Sequence, residues 1–173
     1  FSYSDGSGNT SNPDLPDCWN YFETGGNSSG YAYVDKQTSS FGYGNQATDS
    51  SYIFLSSGYV SSSSGRLGDT IAAILPLLED LDMNDKQLLF NARGYSGTGA
   101  QIDAVIIGTT DSTGDMSTFH IVDTVSTTGS YADYSVDLTG LPTGAARVVM
   151  AVWTGINSGY TYGYNEVYVD RVE

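Results

Sequence analysis

Two carboxylates stand near opposite ends of this chain, Glu23 in "WNYFETGG" and Asp170 in "NEVYVDRVE". In the second stretch Val167 and Val169 alternate with period two and face one side of a sheet, while Val172 falls on the wrong parity. One extra residue at Asp170 and Arg171, a β-bulge, returns Val172 to the core side and re-aims Asp170 along the sheet edge. A sandwich that brings its first and last strands together sets Glu23 beside Asp170. Carboxylates in contact at neutral pH repel unless a proton or a cation lies between them. Calcium accepts six to eight oxygens at about 2.3 to 2.6 Å, and glycine-rich turns such as "TGGNSSG" offer carbonyls, amides and water to complete its shell. The competing reading leaves both acids solvated, and spacing alone does not choose between them.

Aromatic rings are the second chemical resource. Phe41 and Tyr43 lie in "SSFGYGNQ", Tyr95 in "GYSG", and Tyr160, Tyr162 and Tyr164 in "SGYTYGYN". Sugar rings stack their C–H faces on flat side chains, and the neighbouring glycines leave these rings open to a ligand. The plainer alternative is that tyrosine suits strands and packs on the rim. Trp19 reads as a plug at the end of the fold. Trp153 closes the apolar run "RVVMAVWTG", which reads as buried on both faces. Cys18, beside Trp19, reads as a small buried thiol.

Catalytic machinery is sparse. The lone His120 sits in "STFHIVDT" and reads as a surface strand residue with no nucleophile signature nearby. No serine elbow occurs, and zinc would lack the imidazoles and thiolates it prefers. Glycoside hydrolysis needs two carboxyl groups about 5 to 9.5 Å apart, and Glu23, Glu79, Asp103, Glu166 and Asp170 suffice by count. Yet no strand alternates Glu and Asp on one face, and the acids of "LLEDLDMNDK" read as solvated loop charges. The expectation is a noncatalytic chain.

These side chains need a frame. Nine short runs with β-branched or aromatic character recur between turn clusters, from "GYAYVDK" and "SSYIFLSS" to "ARVVMAVWTG" and "NEVYVDRVE", the pattern of a sandwich. In "TIAAILPLL", Ile71, Ile74, Leu75 and Leu78 fit a helical stripe, but Pro76 opposes a helix and favours an edge strand followed by an acidic loop. "LLFNARGY" and "QIDAVIIGTT" read as an antiparallel pair. Residues 1–14 read as a linker or upstream tail, and 15–173 as one domain. With 20 acidic against 6 basic residues the net charge is -14, which disfavours nucleic acid and anionic membrane surfaces. No run is long enough to cross a bilayer, and without a signal peptide or initiator Met the chain reads as a segment of something longer.

From "LPDCW" and "FE" through "AILPLL", "LLFNARGYSG", "GTTDSTGDMSTF", "IVDTV" and "YADYSVDLTGLP" to "NEVYVDRVE", the chain resembles the adhesin-type jelly-roll modules of Bacteroidetes secreted proteins, the choice-of-anchor J, cleaved-adhesin and MAM-like group. The resemblance spans residues 15–173 and implies an all-β, two-sheet antiparallel β-sandwich of jelly-roll type. It implies a structural calcium held between Phe22-Glu23 and Tyr168-Val169-Asp170. Many relatives carry a second acid after that Asp; here Arg171 stands there. The implied role is a calcium-stabilised, secreted or cell-surface module of a multidomain chain that binds an extracellular polysaccharide or another glycan, for which the residues themselves offer Tyr43, Tyr95, Tyr160, Tyr162 and Tyr164. The alternatives are binding to host or matrix protein, a purely structural spacer, and, more remotely, an endoglycanase.

Overall fold

The computed structural model describes residues 18–23, 31–36, 51–56, 60–61, 70–78, 82–95, 103–153, 155, 160, 162–163 and 165–173, with backbone alone at 31–36, 51–52 and 60–61. The chain forms an antiparallel β-sandwich. One sheet contains β1 (Asn20–Glu23), β5 (Thr70–Ile74), β10 (Arg147–Trp153), β7 (Ala104–Thr110) and β8 (His120–Ser126), in the spatial order β1-β5-β10-β7-β8. The other contains β2 (Tyr31–Lys36), β3 (Ser51–Ser56), β12 (Glu166–Val172), β6 (Lys86–Gly94) and β9 (Ala132–Leu138), in the order β2-β3-β12-β6-β9. A two-residue ribbon pairs β4 (Val60–Ser61) with β11 (Tyr162–Gly163). All nine strands expected from the sequence are present; β1, β4 and β11 are additional.

The burial patterns explain the sequence patterns. Between the sheets Leu55, Ile71, Ile107, Met150, Val152 and Val167 are fully buried in the main core. Each such side chain contributes about 1.5–3 kcal/mol over its exposed state. The first sheet is covered on its outer face too, where Ala72, Ile74, Ile106, Val149 and Ala151 form a second cluster with Phe22, Met116 and Phe119. Double burial accounts for the unbroken apolar runs of β5, β7 and β10, which lack a period of two. By contrast β9 alternates, with Val136 and Leu138 buried and Ser135 and Asp137 exposed.

The stretch "GTTDSTGDMSTF" builds that outer cover. Asp111 Oδ1 accepts hydrogen bonds from the Thr113 amide at 2.9 Å and the Thr113 hydroxyl at 2.6 Å. Asp115 caps the 3-10 turn Met116–Thr118 by accepting from the Ser117 amide at 2.8 Å. The turn lays the Phe119 ring over Gly108, where the β7–β8 register shifts and where a Cβ would overlap that ring.

Four expectations require correction. The 70–74 strand is not at an edge: β1 takes the edge, and β5 lies between β1 and β10, with Pro76 just past its last paired residue. β6 and β7 do not pair. The connection between them crosses from one sheet to the other, because both strands already have two partners, β12 and β9 for β6 and β10 and β8 for β7. Cys18 is exposed, since it precedes the first strand on a backbone with φ 72°. Trp153 is 37% exposed, because it ends β10 on the same face as Val149 and Ala151, beyond the residues that cover them. His120 is exposed at the start of β8, as expected. Trp19 is half-buried and packs against the main core, with its Nε1 buried and lacking a hydrogen-bond partner.

Candidate functional site

The antiparallel order places the end of β6, the start of β7, the end of β10 and the start of β12 at one end of the sandwich. Asn165, fully buried, fixes that arrangement. Its carboxamide acts as a spare peptide group: Oδ1 accepts from the Ala104 amide at 3.1 Å, and Nδ2 donates to the Ala104 carbonyl at 2.9 Å and the Trp153 carbonyl at 3.5 Å. The segment entering β12 in one sheet is thereby tied to β7 and β10 in the other. Buried amides impose such complete pairing because an orphaned backbone group is costly.

At this end Tyr95 follows β6, Tyr162 lies in β11, and Trp153 closes β10. Tyr160 is 42% exposed, and its ring meets Tyr162 edge-on at 6.4 Å between centroids and 73° between planes. Tyr160 and Tyr162 are thus in contact, while Tyr95 and Trp153 stand at strand ends on the same side of the sandwich, Trp153 having been disguised as core by the apolar run before it. Tyr43 and Tyr164, with Phe41 and Glu79, lie outside the described residues.

Two acids share the same end. The Tyr95 amide donates both to Asp103 Oδ1 at 3.2 Å and to the Glu166 carbonyl at 3.3 Å, and the Ser56 hydroxyl donates to Glu166 Oε1 at 3.3 Å. Burial pushes the Asp103 carboxyl up to about 6, partly offset by the Tyr95 N–H. Burial also raises Glu166; the Ser56 hydroxyl opposes that rise and the charge of Asp103 adds to it. Asp103 holds a left-handed backbone, φ 48°. Its carbonyl accepts from the Thr127 amide at 2.8 Å and hydroxyl at 2.9 Å, which anchors the strained residue to the β8–β9 connection.

The bulge in β12 is present between Asp170 and Val172, with Arg171 at φ 42°. Asp170, however, does not lie along a sheet edge. β12 is the central strand of its sheet, and Asp170 is only 2% exposed, opposite Asn91 of β6. Its Oδ1 accepts from the Arg171 amide at 3.0 Å. Glu23 is half-buried on β1 and accepts from the Tyr21 hydroxyl at 2.6 Å. First and last strands are therefore not ladder neighbours: β1 pairs with β5 in one sheet, and β12 with β3 and β6 in the other. Among the described residues no group of three or more His, Cys, Asp and Glu side chains is placed to hold a metal.

Sequence reasoning missed the aromatic-cation row next to Asp170. Phe54, Tyr168 and Arg93 are successive cross-strand partners on β3, β12 and β6. Phe54 and Tyr168 lie 4.6 Å apart, and the Arg93 guanidinium sits 4.0 Å from the Tyr168 ring centroid and 5.3 Å from that of Tyr131. Arg93 is 6% exposed, with its Nε lacking a hydrogen-bond partner. Ring faces offset the desolvation of that cation. The period-two positions of these three residues were legible, but not which face was covered.

The molecule is an antiparallel two-sheet β-sandwich of jelly-roll type, with exposed aromatic side chains at one end. No protein-family model matches the chain, and no curated protein matches it. Solved structures do. It is similar to the K2 cleaved adhesin domain of Lys-gingipain, at 12% identity and TM-score 0.62, over 91% of this chain and 89% of that one. It is also similar to the K1 cleaved adhesin domain of Lys-gingipain from Porphyromonas gingivalis W83, at 15% identity and TM-score 0.58, over 90% and 92%. A third likeness is to a carbohydrate-binding module of the β-sandwich superfamily described for promiscuous specificity, at 16% identity and TM-score 0.52, over 90% of this chain and 56% of that one. At these identities the likeness is one of fold.

Proposed function

We propose that this chain is a noncatalytic carbohydrate-binding module of a larger secreted or cell-surface bacterial protein. The observation that carries the reading is the aromatic end: Trp153 and Tyr160 keep more than a third of their surface in solvent, and Tyr162 supports Tyr160 edge-on. Exposed rings at an end that also carries carboxylates are the reagents for sugar faces and hydroxyls. Adhesin domains and carbohydrate-binding modules among the solved structures of similar fold support the same reading. Binding is passive, and attachment keeps the parent protein near its glycan. No described helix is long and apolar enough to cross a membrane.

Calcium belongs to the same reading. The donor chemistry fits: Glu23 and Asp170 supply hard carboxylate oxygens, and Asp170 is removed from bulk water. The two do not face one another: Glu23 has the parity of Tyr21, which packs on the main core, while Asp170 shares the outer face of the other sheet with Tyr168, so a calcium ion would be held by one of them with neighbouring oxygens rather than by both.

The test is binding of the purified chain to a broad panel of polysaccharides. Micromolar to millimolar affinity for at least one, weakened at least about tenfold by Tyr160→Ala or Trp153→Ala, supports the reading. Silence across the panel with retained binding to matrix proteins would favour the protein-adhesive alternative.

A further inference from the structure

A groove of about 240 Å³ opens beside the β12 bulge, on the part of β6 away from Tyr95. Its walls include Leu89 and Asn91 of β6, Asp133 and Tyr134 of β9, and Arg171 and Glu173 at the end of β12. The bulge shapes it. Leu89 and Glu173 exchange two backbone hydrogen bonds of 2.8 Å, which lock the chain on the far side of Arg171. The extra residue is thus held in the left-handed region, and a side chain with a Cβ stays there only where its surroundings enforce it.

From that backbone the Arg171 guanidinium reaches over β6 to β9, with Nη2 3.2 Å from Asp133 Oδ1. Asn91, directly opposite Asp133, donates from Nδ2 to the same oxygen at 2.7 Å. Guanidinium and carboxamide thus meet on one carboxylate oxygen in the groove wall. The two charged side chains are 49% and 81% exposed, and an ion pair so open to water contributes little to stability. It does not explain why the strain is kept. Beside these groups Leu89, 41% exposed, offers an apolar patch.

We propose that this groove binds a single neutral hexopyranose unit of a glycan. Asn91, Asp133 and Arg171 bond two adjacent ring hydroxyls, and Leu89 meets the C–H edge of the ring. Planar groups that donate and accept side by side match adjacent hydroxyls in spacing and direction. The volume lies below the roughly 300–1,000 Å³ of sites for drug-sized ligands, which suits one ring. Charge decides the class: Asp133 and Glu173 outweigh Arg171 locally, and the chain as a whole carries -14, so uronates and sulfated sugars are repelled. The inference rests on the carbohydrate reading and adds to it a second site, of polar rather than aromatic character.

Titration of the 15N-labelled chain with methyl α-mannopyranoside, methyl β-glucopyranoside, methyl β-galactopyranoside and methyl β-glucuronide, followed by NMR, tests it. At least one neutral glycoside is expected to shift the Asn91 side-chain amide and the Leu89 and Arg171 backbone amides, with the glucuronide weaker. Asn91→Ala and Arg171→Gly should each weaken that response about tenfold. Arg171→Gly also relieves the backbone, so it keeps the fold while removing the guanidinium. Shifts confined to Tyr160 and Tyr162 would overturn the groove site and leave the aromatic-end reading standing. Silence of the Asn91, Leu89 and Arg171 signals with every neutral glycoside, or a glucuronide response equal to theirs, would overturn the groove assignment, whereas the aromatic end stands or falls with the polysaccharide panel.

Discussion

Asp103 is the residue whose chemistry departs furthest from its ordinary state. Its folded carboxyl is raised to about 6 from the ordinary 3.8, so between those values the native state holds a proton that the unfolded chain has released. Stability therefore gains from this group at low pH, fully so below about 4, and the gain is lost as pH rises through about 6. Melting temperature should fall between pH 4 and 7, and Asp103→Asn should flatten that slope; an equal slope in the variant would show that general charge repulsion causes it. Asn165 makes a different demand. Replacing it with Ala leaves the Ala104 amide and carbonyl unpaired inside the fold, with an expected loss of about 2–4 kcal/mol in denaturant titration. A loss under about 0.5 kcal/mol would mean that the sheets do not depend on this link. Neither role was legible beforehand: Asp103 was one acid among several, and Asn165 lies in a tyrosine-rich loop with no periodic signal. Both depend on the folded surroundings: burial raises the Asp103 carboxyl, and Asn165 finds its partners in Ala104 and Trp153 of the other sheet.

At the scale of elements, local pattern located every main strand but not its partners. Alternation with one parity break in "NEVYVDRVE" was enough to place the bulge, because side-chain period two makes a single inserted residue visible. The same pattern could not tell an edge from a centre. β5 reads like a strand beside a proline, yet its position was decided by four residues of β1, too short to be recognised from "NYFE" alone. β6 and β7 looked like a hairpin since they are adjacent and apolar, while ladder formation with β12 and β10 sends them to opposite sheets. Trp153 was misplaced for a related reason: the apolar run is buried on both faces only as far as its neighbours extend. The closeness of β7 to the 116–119 turn makes a sharper prediction. Gly108→Ala drives a methyl into the Phe119 ring, which should cost about 1–3 kcal/mol and expose the outer apolar face. Unchanged stability, measured by urea unfolding, would show that the turn is not packed there.

For the molecule as a whole, Asn165 ties the two sheets together at the end that carries the exposed rings, and a net charge of -14 disfavours anionic polymers. If the native chain holds a calcium ion at Glu23 or at Asp170, EDTA should lower the melting temperature and excess calcium restore it, because an ion bound only by the native state adds stability by mass action. Melting that ignores both would remove the ion from the account and leave the sandwich intact. Freedom from catalysis is equally open to measurement: no reducing sugar should be released from polysaccharides, and turnover abolished by Glu166→Gln would reverse that expectation. The central claim is that the aromatic end holds a glycan, and calorimetric titration of the chain and its Trp153→Ala/Tyr160→Ala double variant with the best polysaccharide of a broad panel tests it most directly. Saturable binding by the native chain that the double variant loses is the predicted result; no binding to any polysaccharide, or equal binding by both proteins, would contradict it.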